Sequence, residues 1–176
     1  MKRFFSVLLC AVLLLSFLPP GNARAAGEAW DGGATQPLGA GSSGDPYRIY
    51  TPRELKWFAD EVNGLHTDNP APTGEKSCAR LYADIRLNDT GLWTGGIPDA
   101  GARAWTPMGN NLSPPSGGLV RRYKGVFDGG GFTVSGLYIN APATDCQGLF
   151  GALSNDGGSV GTVRNLRVAD SYVRGQ

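Results

Sequence analysis

The chain has 176 residues, with 16 Lys and Arg against 15 Asp and Glu and a single histidine. That near-balance leaves no basic patch and argues against nucleic acid as a partner, while 41% hydrophobic and 10% aromatic residues are too many for a disordered chain. Glycine, at 27 residues, is about twice its average usage but lacks the strict period of collagen, so it reads as punctuation between many short strands.

At the N-terminus, Lys2 and Arg3 precede an uncharged, mostly apolar run from Phe4 to Leu18, closed by Pro19, Pro20 and Gly21. Ala23-Arg24-Ala25 then supplies the small-x-small pattern of a cleavage site. Residues 1–25 are therefore expected to be a secretory signal. The run is short for a bilayer span, and it continues well past Cys10, which disfavours a lipoprotein cysteine. No second long apolar run follows, so no membrane span is expected after cleavage. Loss of Lys2, Arg3 and Arg24 and of no acid leaves 13 bases against 15 acids, a net charge of −2. The roughly 150 residues that remain suffice for one domain.

Residues 26–79 read as a lead-in. Tyr47 to Thr51 reads as a short strand, and a helix is expected over 52–63. Thr51 suits its N-cap, Pro52 its first turn, and Glu54 completes a T-x-x-E capping box. Leu55, Phe58, Ala59 and Val62 form one apolar stripe, and Gly64 suits the stop. Such a helix would cap an open end of a β-rich core. Within residues 80–176, "RLYADIRLND" alternates as one strand, with Leu81, Ala83, Ile85 and Leu87 on one face. Residues 88–122 read as a long irregular insertion, mostly a surface excursion, in which "AWTPMG" forms a short strand. Cys78 and Cys146, the two cysteines left after export, are the candidate disulfide. They make no metal signature, because CxxC is absent and His66 is the only histidine.

The last third carries an internal repeat. "TVSGLYI" from Thr133 aligns with "TVRNLRV" from Thr162 at a shift of 29. The expected buried positions are Val134, Leu137 and Ile139 in the first copy and Val163, Leu166 and Val168 in the second. Their spacing skips one residue, so the backbone must bend at Ser135-Gly136 and at Arg164-Asn165. Gly136 and Asn165 are residue types that adopt a left-handed conformation readily. Asp128, Gly129 and Gly130, in "GVFDGGGF", are expected to be a turn, with "SNDGGSVG" as its longer counterpart. Short strands joined by left-handed corners and repeated in this way predict a mostly β protein: an incomplete right-handed parallel β-helix with one N-terminal capping helix.

"YKGVFDGGGFTVSGLYI", "GLFGAL" and "GTVRNLRV", preceded by "DPYRIYTPRELKWFADEVN", "YADIRLND" and "WTPMGN", resemble the GLUG-motif repeats of bacterial surface proteins, which also occur beside the protease domain of immunoglobulin-A-cleaving metallopeptidases. The resemblance covers residues 30–176. It implies a pectate-lyase-like β-helix and an exported, adhesin-like role at the cell surface. It does not imply an enzyme. Such proteins carry many repeats, whereas this chain has two clear repeats plus one degenerate coil and no visible C-terminal cap. It is therefore expected to be a truncated product or the first part of a longer protein, or to have another chain over its last edge.

Catalytic signatures are absent. HExxH, which would carry the metallopeptidase activity, does not occur, nor does the Walker pattern. Gly129 to Gly131 fail the dinucleotide pattern. Asp128 and Asp156 precede glycines, but two unequal sites suit turn chemistry better than a calcium repeat. A catalytic triad has only His66 to draw on. Asp84, Asp89 and Asp99 are spread too widely to single out a glycosidase pair. Trp93, Trp105, Tyr138 and Tyr172 suit either sugar stacking or packing of the insertion. Asn88-Asp-Thr90 and Asn111-Leu-Ser113 match the glycosylation sequon by chance.

The expected function is a secreted or cell-surface, non-catalytic, adhesin-like module that contacts glycans or host and matrix proteins, with no cofactor. The alternatives are a polysaccharide-acting lyase or hydrolase and a purely structural capping segment of a larger surface protein.

Overall fold

A computed structural model describes residues 27–66, 74–109, 121–155, 158 and 160–176. The signal segment, Asp156 and the Asn111 sequon lie outside the described residues.

Helix α1 runs Pro52–Asn63, and both halves of its capping box are formed. The Glu54 backbone N–H donates to Thr51 Oγ1 at 3.3 Å, and Glu54 Oε2 accepts the Thr51 N–H at 2.9 Å. Gly64 closes the helix in a left-handed conformation, φ 65°, as a C-terminal glycine does. Leu55, Phe58, Ala59 and Val62 are buried. Phe58 meets the rings of Tyr47, Tyr123 and Phe127 at centroid distances of 6.2, 6.1 and 5.8 Å. Each such side chain taken from water contributes about 1.5–3 kcal/mol. The helix is therefore held by an aromatic cluster and not by its own propensity.

The strands of the described residues are short and pair in parallel. β1 (Tyr47–Ile49), β2 (Ala79–Leu81), β4 (Val126–Asp128) and β7 (Thr162–Arg164) form a four-stranded sheet in that order. β3 (Ile85–Arg86), β5 (Thr133–Ser135) and β8 (Arg167–Ala169) form a second sheet, and β6 (Tyr138–Asn140) with β9 (Tyr172–Arg174) a third. Like side chains fall in register. Tyr47, Ala79, Phe127 and Val163 make one inward row, and Ile85, Val134 and Val168 another.

The right-handed, pectate-lyase-like β-helix expected from the repeats is corrected by this arrangement. The described residues form three small sheets and no closed solenoid. The third sheet has only two strands because its neighbouring position is filled by irregular chain. There the Trp105 N–H donates to the Tyr138 carbonyl at 2.8 Å without strand structure. The rows are also unevenly connected: Tyr47, Ala79, Phe127 and Val163 are 32, 48 and 36 residues apart.

Three further expectations change. "RLYADIRLND" is two strands in different sheets, β2 and β3, with a corner at 82–84. Leu81, Ile85 and Leu87 are all buried, so a period of two survived the corner and disguised it. The insertion also supplies core: Trp105 and Met108 are buried, and Met108 bridges Phe150. Asn63 ties this segment to α1, donating to the Pro107 carbonyl at 3.0 Å and accepting the Gly109 N–H at 2.9 Å. Finally, the 29-residue alignment is out of register. Val134 pairs with Val168 and Ile139 with Val173, while Val163 pairs with Phe127. The two heptapeptides thus cross different corners, one from the second sheet to the third, the other from the first sheet to the second.

The inward residues of the outermost strands are less covered. Val134, Leu137 and Ile139 are at most 2% exposed, whereas Val168 is 45% exposed, and Val163 and Leu166 are half-buried against the core. A Val134→Asp protein should therefore lose ~3 kcal/mol or more, an unpaired charge being left in the core. Val168→Asp should cost under ~1 kcal/mol. Urea denaturation of the two variants checks this, and equal losses would contradict the assigned register.

Candidate functional site

The four-stranded sheet has an outward row beside its inward one. Arg48, Arg80, Asp128 and Arg164 are in-register partners on β1, β2, β4 and β7. Each is the outward neighbour of an apolar inward residue, as strand alternation requires. Arg48 pairs with Asp45 at 2.7 Å. Arg164 grips Asp128 Oδ2 with Nε and Nη2 at 3.2 and 3.1 Å. Asp128 Oδ1 accepts from the Gly130 N–H at 2.9 Å and from the Asn165 side-chain amide at 3.1 Å. Burial alone would raise the Asp128 carboxyl. These four donors outweigh it and hold the group below the ordinary carboxylate value.

The expected turn residues Asp128, Gly129, Gly130 and Asn165 therefore meet at one place. Gly130 and Asn165 are left-handed, φ 59° and 53°. A Cβ on Gly130 would lie 2.7 Å from the Leu81 carbonyl oxygen, so a side chain is excluded there. Gly136, the other predicted corner, has φ 70° and sits apart, packed on Asn88. The turn is no phosphate cradle. The N–H groups of Gly129, Gly130 and Gly131 are spent on Arg164 O, Asp128 Oδ1 and Asn165 O. The counterpart of the glycine turn is Arg164-Asn165-Leu166, and the expected counterpart "SNDGGSVG" precedes β7 instead.

The row of aromatic rings along this sheet ends at the glycine turn. β1 and β2 are followed by Tyr50 and Tyr82, whose rings stack with centroids 5.1 Å apart and are 48% and 41% exposed. In the register that pairs Arg80 with Asp128, the residue matching Tyr82 is Gly130, so this row of rings stops. In its place lies a groove of about 540 Å³ lined by Arg80, Asp128, Gly130, Gly131, Leu166 and Arg167, among others. A second groove of about 330 Å³ shares Arg80 and Asp128 and adds Arg164 and Cys78. The two grooves thus lie across a single row of charged side chains.

The other sequence candidates are dispersed. Cys78 is buried beside β2, Cys146 lies half-buried in a left-handed turn, and both are free thiols, so the expected disulfide is not formed. Asp84 Oδ1 accepts the Thr133 N–H, while Asp89 and Asp99 accept N–H groups two residues ahead of themselves. His66 stacks on Trp57 at 4.5 Å. No group of three or more His, Cys, Asp or Glu side chains could hold a metal among the described residues. Trp105 packs edge-on against Trp30, and Tyr138 lies 5.9 Å from Tyr172.

Sequence reasoning missed Arg80, Arg164, Arg167, Tyr50 and Tyr82. A signal was present. "YRI", "ARL", "VFD" and "TVR" align as tripeptides with a charge at or beside the centre, but only the strand register shows that these charges share a row.

No family model matches the chain, and no solved structure matches it. Two curated relatives are similar. One, from Evansella cellulosilytica, carries the name of a Gly-rich membrane protein and is 29% identical over 135 residues, 77% of this chain. The other is halomucin of Haloquadratum walsbyi, 32% identical over 143 residues, 78% of this chain. The chain spans 12% and 1% of their lengths.

The folded Asp128 carboxyl titrates below its unfolded value of 3.8. Its stabilising contribution is full above that value and disappears as pH falls below it. Asp128→Asn should lower stability at neutral pH by about 1 kcal/mol, since Arg164 is solvent-screened, and should flatten the acid limb. Thermal melts across the acid range check this. An unchanged acid limb would show that Asp128 contributes nothing.

Proposed function

We propose that the chain is an exported, non-catalytic surface module that contacts glycans. The observation that carries this reading is the outward row of Arg80, Asp128 and Arg164, with two exposed stacked tyrosines at its flank. Arginine forks and amphipathic rings are the groups that hold sugars without reacting with them. Asp128, the carboxylate of the groove, already accepts four hydrogen bonds. That leaves it a poor base, because a proton acceptor needs a free lone pair near the operating pH.

Location at the surface is supported by the names of the relatives, a membrane protein and a halomucin, and by the signal-like pattern of residues 1–25. No helix among the described residues is long and apolar enough to cross a membrane. The GLUG-like motifs belong to the same reading. A structural role, with another chain over the outer strands, is favoured by Val168 and Val173, each 45% exposed.

The glycan reading is tested by affinity electrophoresis of the purified chain through a panel of polysaccharides, with reducing ends assayed in parallel. Retardation by at least one polymer without release of reducing ends is expected. No retardation by any polymer, or turnover, would refute it. In the structural reading, light scattering should show association that grows with protein concentration and is lost in Val168→Asp.

A further inference from the structure

We infer that the groove over the DGGG turn is a subsite for an acidic glycan, one bearing repeated carboxylate or sulfate groups, and that Arg80 and Arg167 are its specificity-determining residues. This rests on the glycan-contacting reading above and names the class of ligand.

The charges that line the two grooves favour such a ligand. Their walls carry three guanidinium groups, those of Arg80, Arg164 and Arg167, and a single carboxylate, Asp128. Asp128 is saturated by Arg164, Asn165 and Gly130, so it does not neutralise Arg80 or Arg167. Neither of those two forms an ion pair among the described residues. A pair of unneutralised cations beside one spent anion favours an anionic ligand and disfavours a neutral one.

The guanidinium groups of Arg80 and Arg164 are also held in place before any ligand arrives. Arg164 uses two of its five donors on Asp128, and its side chain is 60% exposed, which leaves donors facing solvent. The Arg80 guanidinium lies over the Tyr82 ring, 5.5 Å from its centroid, and Tyr82 is backed by Tyr50. The Arg167 backbone is fixed by its N–H bond to Phe132 O. Preorganised guanidinium forks match planar carboxylates and sulfates in two-point contacts, while the Tyr50–Tyr82 pair offers a ring face to the sugar itself. The row of rings ends at Gly130, and the groove lies alongside that glycine and Gly131.

The test uses the full purified chain in affinity electrophoresis through polygalacturonate, dextran sulfate and neutral dextran, and in co-sedimentation with vesicles of anionic phospholipid. Retardation is expected from polygalacturonate or dextran sulfate, with the two arms separating carboxylate from sulfate recognition, and none from dextran. Arg80→Gln and Arg167→Gln should each weaken binding about tenfold, the loss of one charge-assisted contact, with an unaltered melting temperature. Arg174→Gln, on β9 in the third sheet, should bind as the parent does. Equal binding of neutral dextran, no effect of Arg80→Gln and Arg167→Gln, an equal effect of Arg174→Gln, or tighter binding to vesicles than to either polymer would each overturn the acidic-glycan site. Retention by neutral polymers alone would leave the general glycan reading intact, whereas retention by no polymer would remove both.

Discussion

Parallel pairing in register is the constraint on which the rest of the structure depends. Among the described residues no strand exceeds three residues, far too short to persist alone. Each exists because neighbours on the same sheet present backbone groups at matching positions. The corners between strands must therefore recur at nearly the same place. They do so through left-handed residues: Gly130 and Gly131 beside Asn165, and Gly136 beside Asp170. Hydrogen bonds join each corner to its neighbour, from Gly131 N–H to Asn165 O and from Gly136 N–H to Asp170 O at 3.1 Å. Cross-strand register then dictates everything that follows, including which side chains share a row.

The same constraint creates the groove. Register brings Arg80, Asp128 and Arg164 together although 48 and 36 residues separate them along the chain. Asp128 draws Arg164 and Asn165 onto itself and so joins the ends of β4 and β7. A turn of three glycines at this point does two jobs. It lets the backbone pass close to Leu81 and Leu166, and it ends the row of rings that Tyr50 and Tyr82 begin. At this turn the Asp128 carboxylate serves the fold, while the Arg164 guanidinium is 60% exposed.

What was legible in the sequence was local. Helix α1 was readable because its cap, apolar stripe and terminal glycine all lie within fourteen residues of one another, Thr51 to Gly64. The left-handed conformations of Gly136 and Asn165 were readable because residue type biases them directly. The burial of Val134, Leu137 and Ile139 followed from apolar spacing. Harder to read was any feature that depends on which strand lies beside which. Two heptapeptides of similar pattern looked like equivalent copies, yet they cross different corners. An unbroken alternation through 81–87 looked like one strand, yet it passes from one sheet to another. The free thiols of Cys78 and Cys146 likewise depend on placement that spacing does not encode.

By itself, then, the sequence determined the helix and its ends, the positions of the bends, the turn chemistry of "DGGG" and the burial of Val134, Leu137 and Ile139. These are properties of short segments, set by φ preference, capping and periodicity. Only the tertiary structure decided the register, the division into three small sheets in place of a closed β-helix, the entry of Trp105 and Met108 into the core, and the row of arginines around Asp128. These arise from pairings between residues tens of positions apart. Backbone hydrogen bonding in a parallel sheet is indifferent to side-chain identity, so composition alone could not choose among the available registers. Packing of Phe58 against Tyr123 and Phe127, and the saturation of Asp128 by its four donors, favour the observed one.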